Sequence, residues 1–507
     1  MKRRTYEDWF GIAFFAAACG MLVLSARLCF ADGIWYDELF TMGLTERSFG
    51  ELTAFTARDV HPPVYYYFVK MVRGIVQGGN GIVIGKLCSI LPLAGLFAYA
   101  ATMVRRRFGW LCAGLFAFGI MAMPSLSQYT VEIRMYTLAM FFVTAAFLHA
   151  FEIVCGVGDS GESRKKDWIF LAVYGIMAAY THYFAGAAAA VIYLFLFVFL
   201  MTGKASKKEK RNWLFCVLAS VAAYLPWMAV VIRQMAQVKE NYWILPLTWR
   251  TFGSCVKFLM KPPFGSGTFQ VAAAVALFVA YTGLMFYSLW KSRKRPEEVF
   301  LIAAGTGVLA GVVLFGFAAS FLLRPVFIVR YMVPAAGCFW FSFAFCASSA
   351  AKNRKIFLPV LAAIFLLGIG DYRWFRNDET WRRVRMEEVE EAMGQIAPED
   401  VVITQFNQVQ GVTGYYLEND IYLWNAEPEP LICDIFENKY FSFSSADDIK
   451  TWMGEGKNIW LIGNKNNDLL EEWEKEGIFA EEKQEVMLEV YWFTLYRLHS
   501  EALEDKP

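Results

Sequence analysis

Apolar runs long enough to cross a bilayer recur through most of this sequence and restrict what it can fold into. A transmembrane helix needs about 20 apolar residues. Such runs lie near residues 9–31, 82–104, 109–125, 136–155, 168–184, 185–202, 213–232, 269–290, 299–322, 331–350 and 356–370. Residues 371–507 have instead the charged composition of a soluble domain. The pattern excludes a disordered chain, a secreted disulfide scaffold and a purely soluble enzyme. It predicts an α-helical polytopic membrane protein of about 11 transmembrane helices with a small C-terminal α/β domain.

The basic residues predict the orientation in the membrane. They cluster at every second loop, in Lys2–Arg4, Arg105–Arg107, Arg164–Lys166, Lys204–Arg211, Lys291–Arg295 and Lys352–Lys355. Loops rich in Lys and Arg stay cytoplasmic, so a cytoplasmic N-terminus is predicted, in a plasma membrane. The first apolar run lacks a clear cleavage site and is predicted to be a retained helix. We expect a transmembrane domain, 1–370, with a first extracytoplasmic loop at 32–81, followed by an extracytoplasmic domain, 371–507.

Total charge and local motifs narrow the partners further. The formal net charge of +1 gives no indication of a nucleic-acid partner, and the ten cysteines contain no CxxC pair. The tail has strand patterns near 401–403, 421–424, 458–462 and 490–498, and helix patterns near 379–395, 445–454 and 467–476. Because the tail has no nucleotide-binding motif, no independent chemistry is predicted there.

Charged residues at the outer ends of the spans are the candidates for chemistry, because ionisable groups at a membrane are costly. Asp37 and Glu38 follow the first span, between aromatic residues. Two adjacent carboxylates can serve as a general base and its electrostatic neighbour, or can bind a cation. Alternatively, they cap the next helix, where negative charge is favoured. The sequence leaves both readings open.

The same loop contains a second polar stretch. Asp59 and His61 come just before Pro62 and Pro63, and proline fixes how the chain enters a helix. The apolar spacing of residues 62–76 predicts an amphipathic helix that lies along the membrane surface. Asp59 and His61 are therefore candidate substrate-binding residues, although a single histidine is more often structural.

Arginine and tyrosine recur together at two later span ends. Arg134 and Tyr136 begin the fourth span, and the arginine fork suits a phosphate. Arg134 is equally able to pair with Glu132 or with a carboxylate of the first loop. Arg330 and Tyr331 repeat the combination, although interfacial tyrosines are commonly membrane anchors.

His182 lies in a predicted outer turn, between two spans. It is either a ligand-binding residue or a polar group satisfied within the turn.

The first loop, with Asp37-Glu38 followed by Asp59-Val60-His61-Pro62-Pro63, resembles that of protein O-mannosyltransferases. Other polyprenyl-phosphate-sugar-dependent GT-C glycosyltransferases, including the aminoarabinose transferases of lipid A, have a similar loop. Glu132-Ile133-Arg134-Met135-Tyr136 resembles the arginine-tyrosine motif of their bacterial, RgtA-type relatives. The motifs cover roughly the first 200 residues, and the remainder is similar only in topology.

The resemblance implies a GT-C membrane fold and a sugar donor carried on a polyprenyl phosphate. In the family pattern Asp37 matches the aspartate that takes a proton from the acceptor hydroxyl, and Arg134 is a partner for the donor phosphate. The acceptor would be a cell-envelope glycan, lipid or protein. No organic cofactor is implied, and a divalent cation is left open.

A polytopic transporter or lipid flippase is the alternative. Transporters usually bind their substrates near the middle of the bilayer, whereas the ionisable residues here avoid the centres of the spans. Their position at the outer face therefore favours a transferase.

Overall fold

A computed structural model describes residues 5–31, 33–160, 162–203, 205–237, 244–351, 354–437, 440–465, 468–488 and 491–500. Helices form most of the first 393 residues. They are α1 (Tyr6–Leu28), α2 (Tyr36–Glu46), α3 (Phe49–Thr56), α4 (Val64–Ile75), α5 (Gly81–Tyr99), α6 (Arg105–Ala122), α7 (Tyr136–Ser160), α8 (Lys165–Thr181), α9 (Tyr183–Thr202), α10 (Lys207–Gln237), α11 (Trp249–Met260), α12 (Gly267–Ser292), α13 (Pro296–Leu322), α14 (Val333–Ser349) and α15 (Arg354–Met393).

Nine helices in the described ranges are long and apolar enough to cross a membrane, and the chain is a multi-pass membrane protein. One of the nine, Gly81–Ala122, contains two of the predicted spans. It is interrupted at Gly109, whose φ of +82° is incompatible with a continuous helix. Helix α8 has only 17 residues. The number of 11 spans stays a prediction. Some residues of the basic clusters lie outside the described residues, namely Lys2–Arg4, Lys204 and residues 352–353.

Packing groups the described residues into two compact units, and the first loop is divided between them. The first unit takes residues 1–30, 60–79 and 83–377, and the second takes 31–59, 80–82 and 378–507. Residues 31–59 of the first loop thus pack in the same unit as the tail. The boundary between the two domains at residue 370 stays a prediction. Residue 370 lies within α15.

The second unit contains the predicted α/β domain. Its helices are α16 (Gln410–Tyr416), α17 (Pro430–Phe436), α18 (Ala446–Gly454) and α19 (Asp468–Lys475), and its strands are β1 (Val401–Thr404), β2 (Ile421–Trp424), β3 (Tyr440–Phe443), β4 (Ile459–Gly463), β5 (Phe479–Leu488) and β6 (Tyr491–His499). The strand order is β3-β2-β1-β4-β6-β5. Neighbours from β3 to β4 are parallel, and β6 is antiparallel to both β4 and β5.

Apolar side chains from the sheet and its helices form one core, which includes Ile403, Leu461, Ile449 and Trp473. The tail elements predicted from the sequence are confirmed, since β1, β2, β4, β6, α18 and α19 coincide with them. Strands β3 and β5 and the short helices α16 and α17 were not predicted.

Replacement of Gly109 by alanine tests the break within α6. With φ +82° and ψ 179°, this backbone conformation is essentially confined to glycine, and strain of this kind costs about 1–3 kcal/mol. We expect Gly109→Ala to lower the thermal unfolding midpoint of the purified protein. Gly283→Ala, in the middle of α12 where an added Cβ meets nothing, should leave the midpoint unchanged or raise it slightly. Equal midpoints for both variants would contradict the strain.

Candidate functional site

The first unit brings five of the ring-bearing side chains near the predicted outer face together. The ring of His182 lies 6.0 Å from that of His61, 5.8 Å from Tyr136 and 5.1 Å from Tyr331, measured between centroids. Tyr129 packs edge-on against Tyr136 at 4.9 Å. We call these five residues the His–Tyr cluster. Four of them were predicted site residues, so stretches far apart in the sequence meet in one place.

His182 is at the centre of this cluster because the chain turns there. Its extended backbone, with φ −159° and ψ 135°, separates α8 from α9. Its Nδ1 accepts a hydrogen bond of 3.1 Å from the backbone N–H of Phe184. His182 can therefore be a satisfied turn residue and a candidate ligand-binding residue at the same time. Its Nδ1 caps α9, and Nε2 is the ring nitrogen left for another partner.

Arg134 and Arg330 bring positive charge to the His–Tyr cluster. Burial, then the neighbouring His61, Arg134 and Arg330, hold the pKa of the turn residue His182 well below its ordinary value. The imidazole is therefore neutral at physiological pH, whereas both guanidiniums are charged. An arginine surrounded by protein is costly unless an anion or dipoles compensate it, and Arg134 is only 6% exposed. The arrangement is suited to hold an anionic group.

Tyr129 shares part of the electrostatic environment of His182, because Arg330 acts on both side chains. Burial and the nearby Glu132 and Tyr136 raise the pKa of its phenol, and Arg330 acts in the opposite direction. Tyr129 stays a neutral hydroxyl that can donate a hydrogen bond.

Lys86 is a buried cationic residue that was not predicted from the sequence as part of the site. It is 2% exposed and lies on α5, one turn before Ser89, whose hydroxyl donates to the backbone carbonyl of Glu132. Residues three apart share a helix face, so Lys86 lies on the face of α5 next to the Glu132–Arg134 segment. The available signal was a single lysine within the run 82–104.

A small cavity of about 130 Å³ adjoins the cluster. Its lining is mostly apolar and includes His61, His182, Phe184 and Tyr331, with Val231, Met235 and Val326 beside them. The structure thus places an apolar space directly beside the neutral imidazole and the phenol of Tyr331.

The remaining predicted residues, Asp37, Glu38 and Asp59, belong to the second unit. Glu38 is 3% exposed, and its carboxylate accepts a hydrogen bond of 3.0 Å from the backbone N–H of Trp35 at the start of α2. Glu38 therefore has the capping role that the sequence left open. Asp37 and Asp59 are half-buried, and Asp37 is the first-turn acid that does not make this bond.

Tail residues hold the first loop in place within the second unit. Helix α2 packs against α16 and α17, and the loop forms ion pairs from Arg47 to Glu437 and from Arg58 to Asp434. The guanidinium of Arg382, on α15, lies 5.2 Å over the ring of Trp35. These contacts fix the loop on both sides of Asp37.

No metal centre can be assigned in the part of the chain that the structure describes. It contains no group of three or more His, Cys, Asp or Glu side chains able to hold a metal ion.

Comparison with solved structures identifies the fold. The chain matches apo ArnT of Cupriavidus metallidurans over 96% of its own length and 97% of that chain, with a TM-score of 0.58 at 10% identity. It matches ArnT of the same organism bound to undecaprenyl phosphate over 97% and 98%, with a TM-score of 0.57 at 11% identity. The chain has a GT-C fold. No family model and no curated protein matches the sequence.

A valine at position 43 tests whether the tail holds the first loop. A Cβ added to Gly43, on α2, would lie 2.6 Å from the Phe436 ring and 2.7 Å from Ile435 Cγ2. Overpacking of this kind costs about 1–3 kcal/mol, so Gly43→Val should speed amide hydrogen exchange across residues 36–46. The same change at Gly50, on α3, meets nothing within 4 Å and should leave that exchange unchanged. Unaltered exchange in Gly43→Val would show that this contact does not hold the loop.

Proposed function

We propose that this protein is an integral membrane glycosyltransferase that moves a sugar from a polyprenyl phosphate to an acceptor hydroxyl. The observation that carries the proposal is the pair of arginines at the buried His–Tyr cluster, in a chain with a GT-C fold. ArnT, which has this fold, was solved with undecaprenyl phosphate bound. The acceptor is a hydroxyl of a cell-envelope glycan, lipid or protein.

The phosphate role belongs to the first unit. When the glycosidic C–O bond breaks, its electron pair goes to the phosphate oxygen, so negative charge grows on the lipid phosphate. Fixed positive groups in a site with little water stabilise such charge strongly. Arg134 and Arg330 supply that charge, Tyr129 and Tyr136 offer neutral phenols, and neutral His182 can donate through one ring nitrogen.

The proton-transfer role belongs to Asp37. Its carboxylate takes the proton of the acceptor hydroxyl as the oxygen attacks the anomeric carbon, while the lipid phosphate departs from the opposite side. This single displacement inverts the anomeric configuration. Glu38 and Asp59 orient the loop and the acceptor or bind a cation, and the capping bond of Glu38 to Trp35 supports an orienting role.

The membrane placement follows the basic clusters. We infer a plasma-membrane protein with a cytoplasmic N-terminus and an extracytoplasmic tail. A polyprenyl chain keeps the donor in the bilayer, so transfer takes place where the spans meet water on the outer side.

Asp37→Asn tests the general base. Removal of the base should lower turnover of a radiolabelled polyprenyl-phosphate sugar by about 10²–10⁴, measured with a panel of such sugars in lipid, with and without EDTA. Asp447→Asn, the same change at an exposed residue of α18, is the matched control. Full turnover in Asp37→Asn would remove Asp37 from the chemistry, and no turnover of any lipid-linked sugar by the wild type would favour transport.

Arg134→Lys tests the phosphate role separately. Lysine keeps the charge but loses the bidentate fork. We expect about tenfold or more loss in kcat/KM for the donor, whereas Arg211→Lys, on exposed α10 surface, should change nothing. If Arg134→Lys bound and turned over donor like the wild type, the phosphate would have to be held elsewhere.

A further inference from the structure

A second polar site lies in the first unit, at the helix ends that the basic clusters predict to be cytoplasmic. It is a cavity of about 560 Å³ whose lining contains the cationic side chains of Arg106, Arg107, Arg164 and Lys166 and only two acids, Glu152 and Asp167. The cavity thus joins two basic clusters that lie far apart in the sequence. The proposed transferase chemistry uses none of these residues.

Both acids already form ion pairs with Arg164. Arg164 donates from Nε to the carboxylate of Asp167 at 3.0 Å and pairs with Glu152 through its other end. Asp167, which is fully buried, also accepts from Nδ1 of His149 at 2.9 Å. With four cationic side chains against two carboxylates, the lining as a whole has a positive formal charge.

The wall of the cavity is ordered by a chain of hydrogen bonds. His149 Nε2 lies 3.1 Å from the hydroxyl of Tyr99, which lies 3.1 Å from that of Tyr174. The chain of contacts thus runs from Asp167 through His149 and Tyr99 to Tyr174. An ionisable residue on a membrane helix is by default a candidate for function, and His149 lies within the membrane helix α7.

The backbone at this wall departs from regular α-helix. Residues Ala100–Val104, between α5 and α6, form a π-helical segment, and Thr102 and Met103 of that segment line the cavity. Such segments occur frequently at functional sites. The irregular turn comes immediately before the basic run that begins at Arg105.

We propose that this cavity binds the phosphate headgroup of an anionic membrane phospholipid. Arginine forks recognise phosphate oxygens, and basic pockets between membrane helices on the cytoplasmic side are suited to anionic headgroups. A lipid is favoured over a soluble anion because the cavity lies at the ends of membrane helices. The proposal does not depend on the transferase activity.

The test uses the full-length protein in nanodiscs that contain phosphatidylglycerol and phosphatidylcholine, with bound lipid counted by native mass spectrometry. We expect wild-type protein to retain one phosphatidylglycerol in preference to phosphatidylcholine. Arg106→Gln combined with Lys166→Gln, both at exposed positions, should weaken that retention by about tenfold or more. Lys207→Gln combined with Lys294→Gln removes the same charge from two other exposed basic positions and should retain the lipid.

Two further arms separate folding and the free anion from lipid binding. Thermal unfolding in pure phosphatidylcholine must give the same midpoint for both double variants, and the single variants should show intermediate retention. Absence of preferential phosphatidylglycerol, or equal loss in the control double variant, would overturn the proposal. Displacement of the lipid by millimolar inorganic phosphate would overturn the lipid assignment, because the site would then take the free anion.

Discussion

The cost of keeping charged groups among apolar helices organises the first unit. Burial of an ion from water costs several kcal/mol even after relaxation, unless partners compensate it. In this unit the polar side chains form two networks, the hydrogen-bonded wall of the larger cavity and the His–Tyr cluster. They lie at the two ends of α8. Asp167 lies in its first turn, paired with His149 and Arg164, and His182 follows its last residue. With 17 residues, α8 is about 25 Å long, nearly the thickness of a bilayer core.

Helix α7 serves both networks as well. Tyr136 at its start belongs to the His–Tyr cluster, and His149 and Glu152 further along line the larger cavity. Helices α7 and α8 pack together, so occupation of either site would act on the same pair of helices. Coupling between sites requires such a shared element with more than one arrangement, and the structure provides the shared element.

Much of the fold was predictable because hydropathy and basic clusters depend directly on the membrane. Arg134, His182 and Arg330 were predicted as ionisable residues at the ends of apolar spans. Strand β5 was missed because its centre, Glu481–Glu485, is almost entirely charged. Lys86 was missed because a single lysine near the start of a span is typical of a residue at the membrane interface. The packing of α2 on α16 and α17 depends on contacts across nearly 400 residues of sequence, which periodicity does not report.

The adjacent acids of the first loop show why side-chain roles need the structure. Successive residues of a helix point about 100° apart, so Asp37 and Glu38 leave α2 in different directions. Glu38 turns back to the N–H of Trp35 and is buried. The ion pairs of Arg47 and Arg58 with the tail hold the segments that follow. The cap and the tail together restrict the directions open to Asp37, and a base must be held within hydrogen-bond reach of the proton it removes. If the proposed base is Asp37, the tail contributes to catalysis by ordering the loop that carries it.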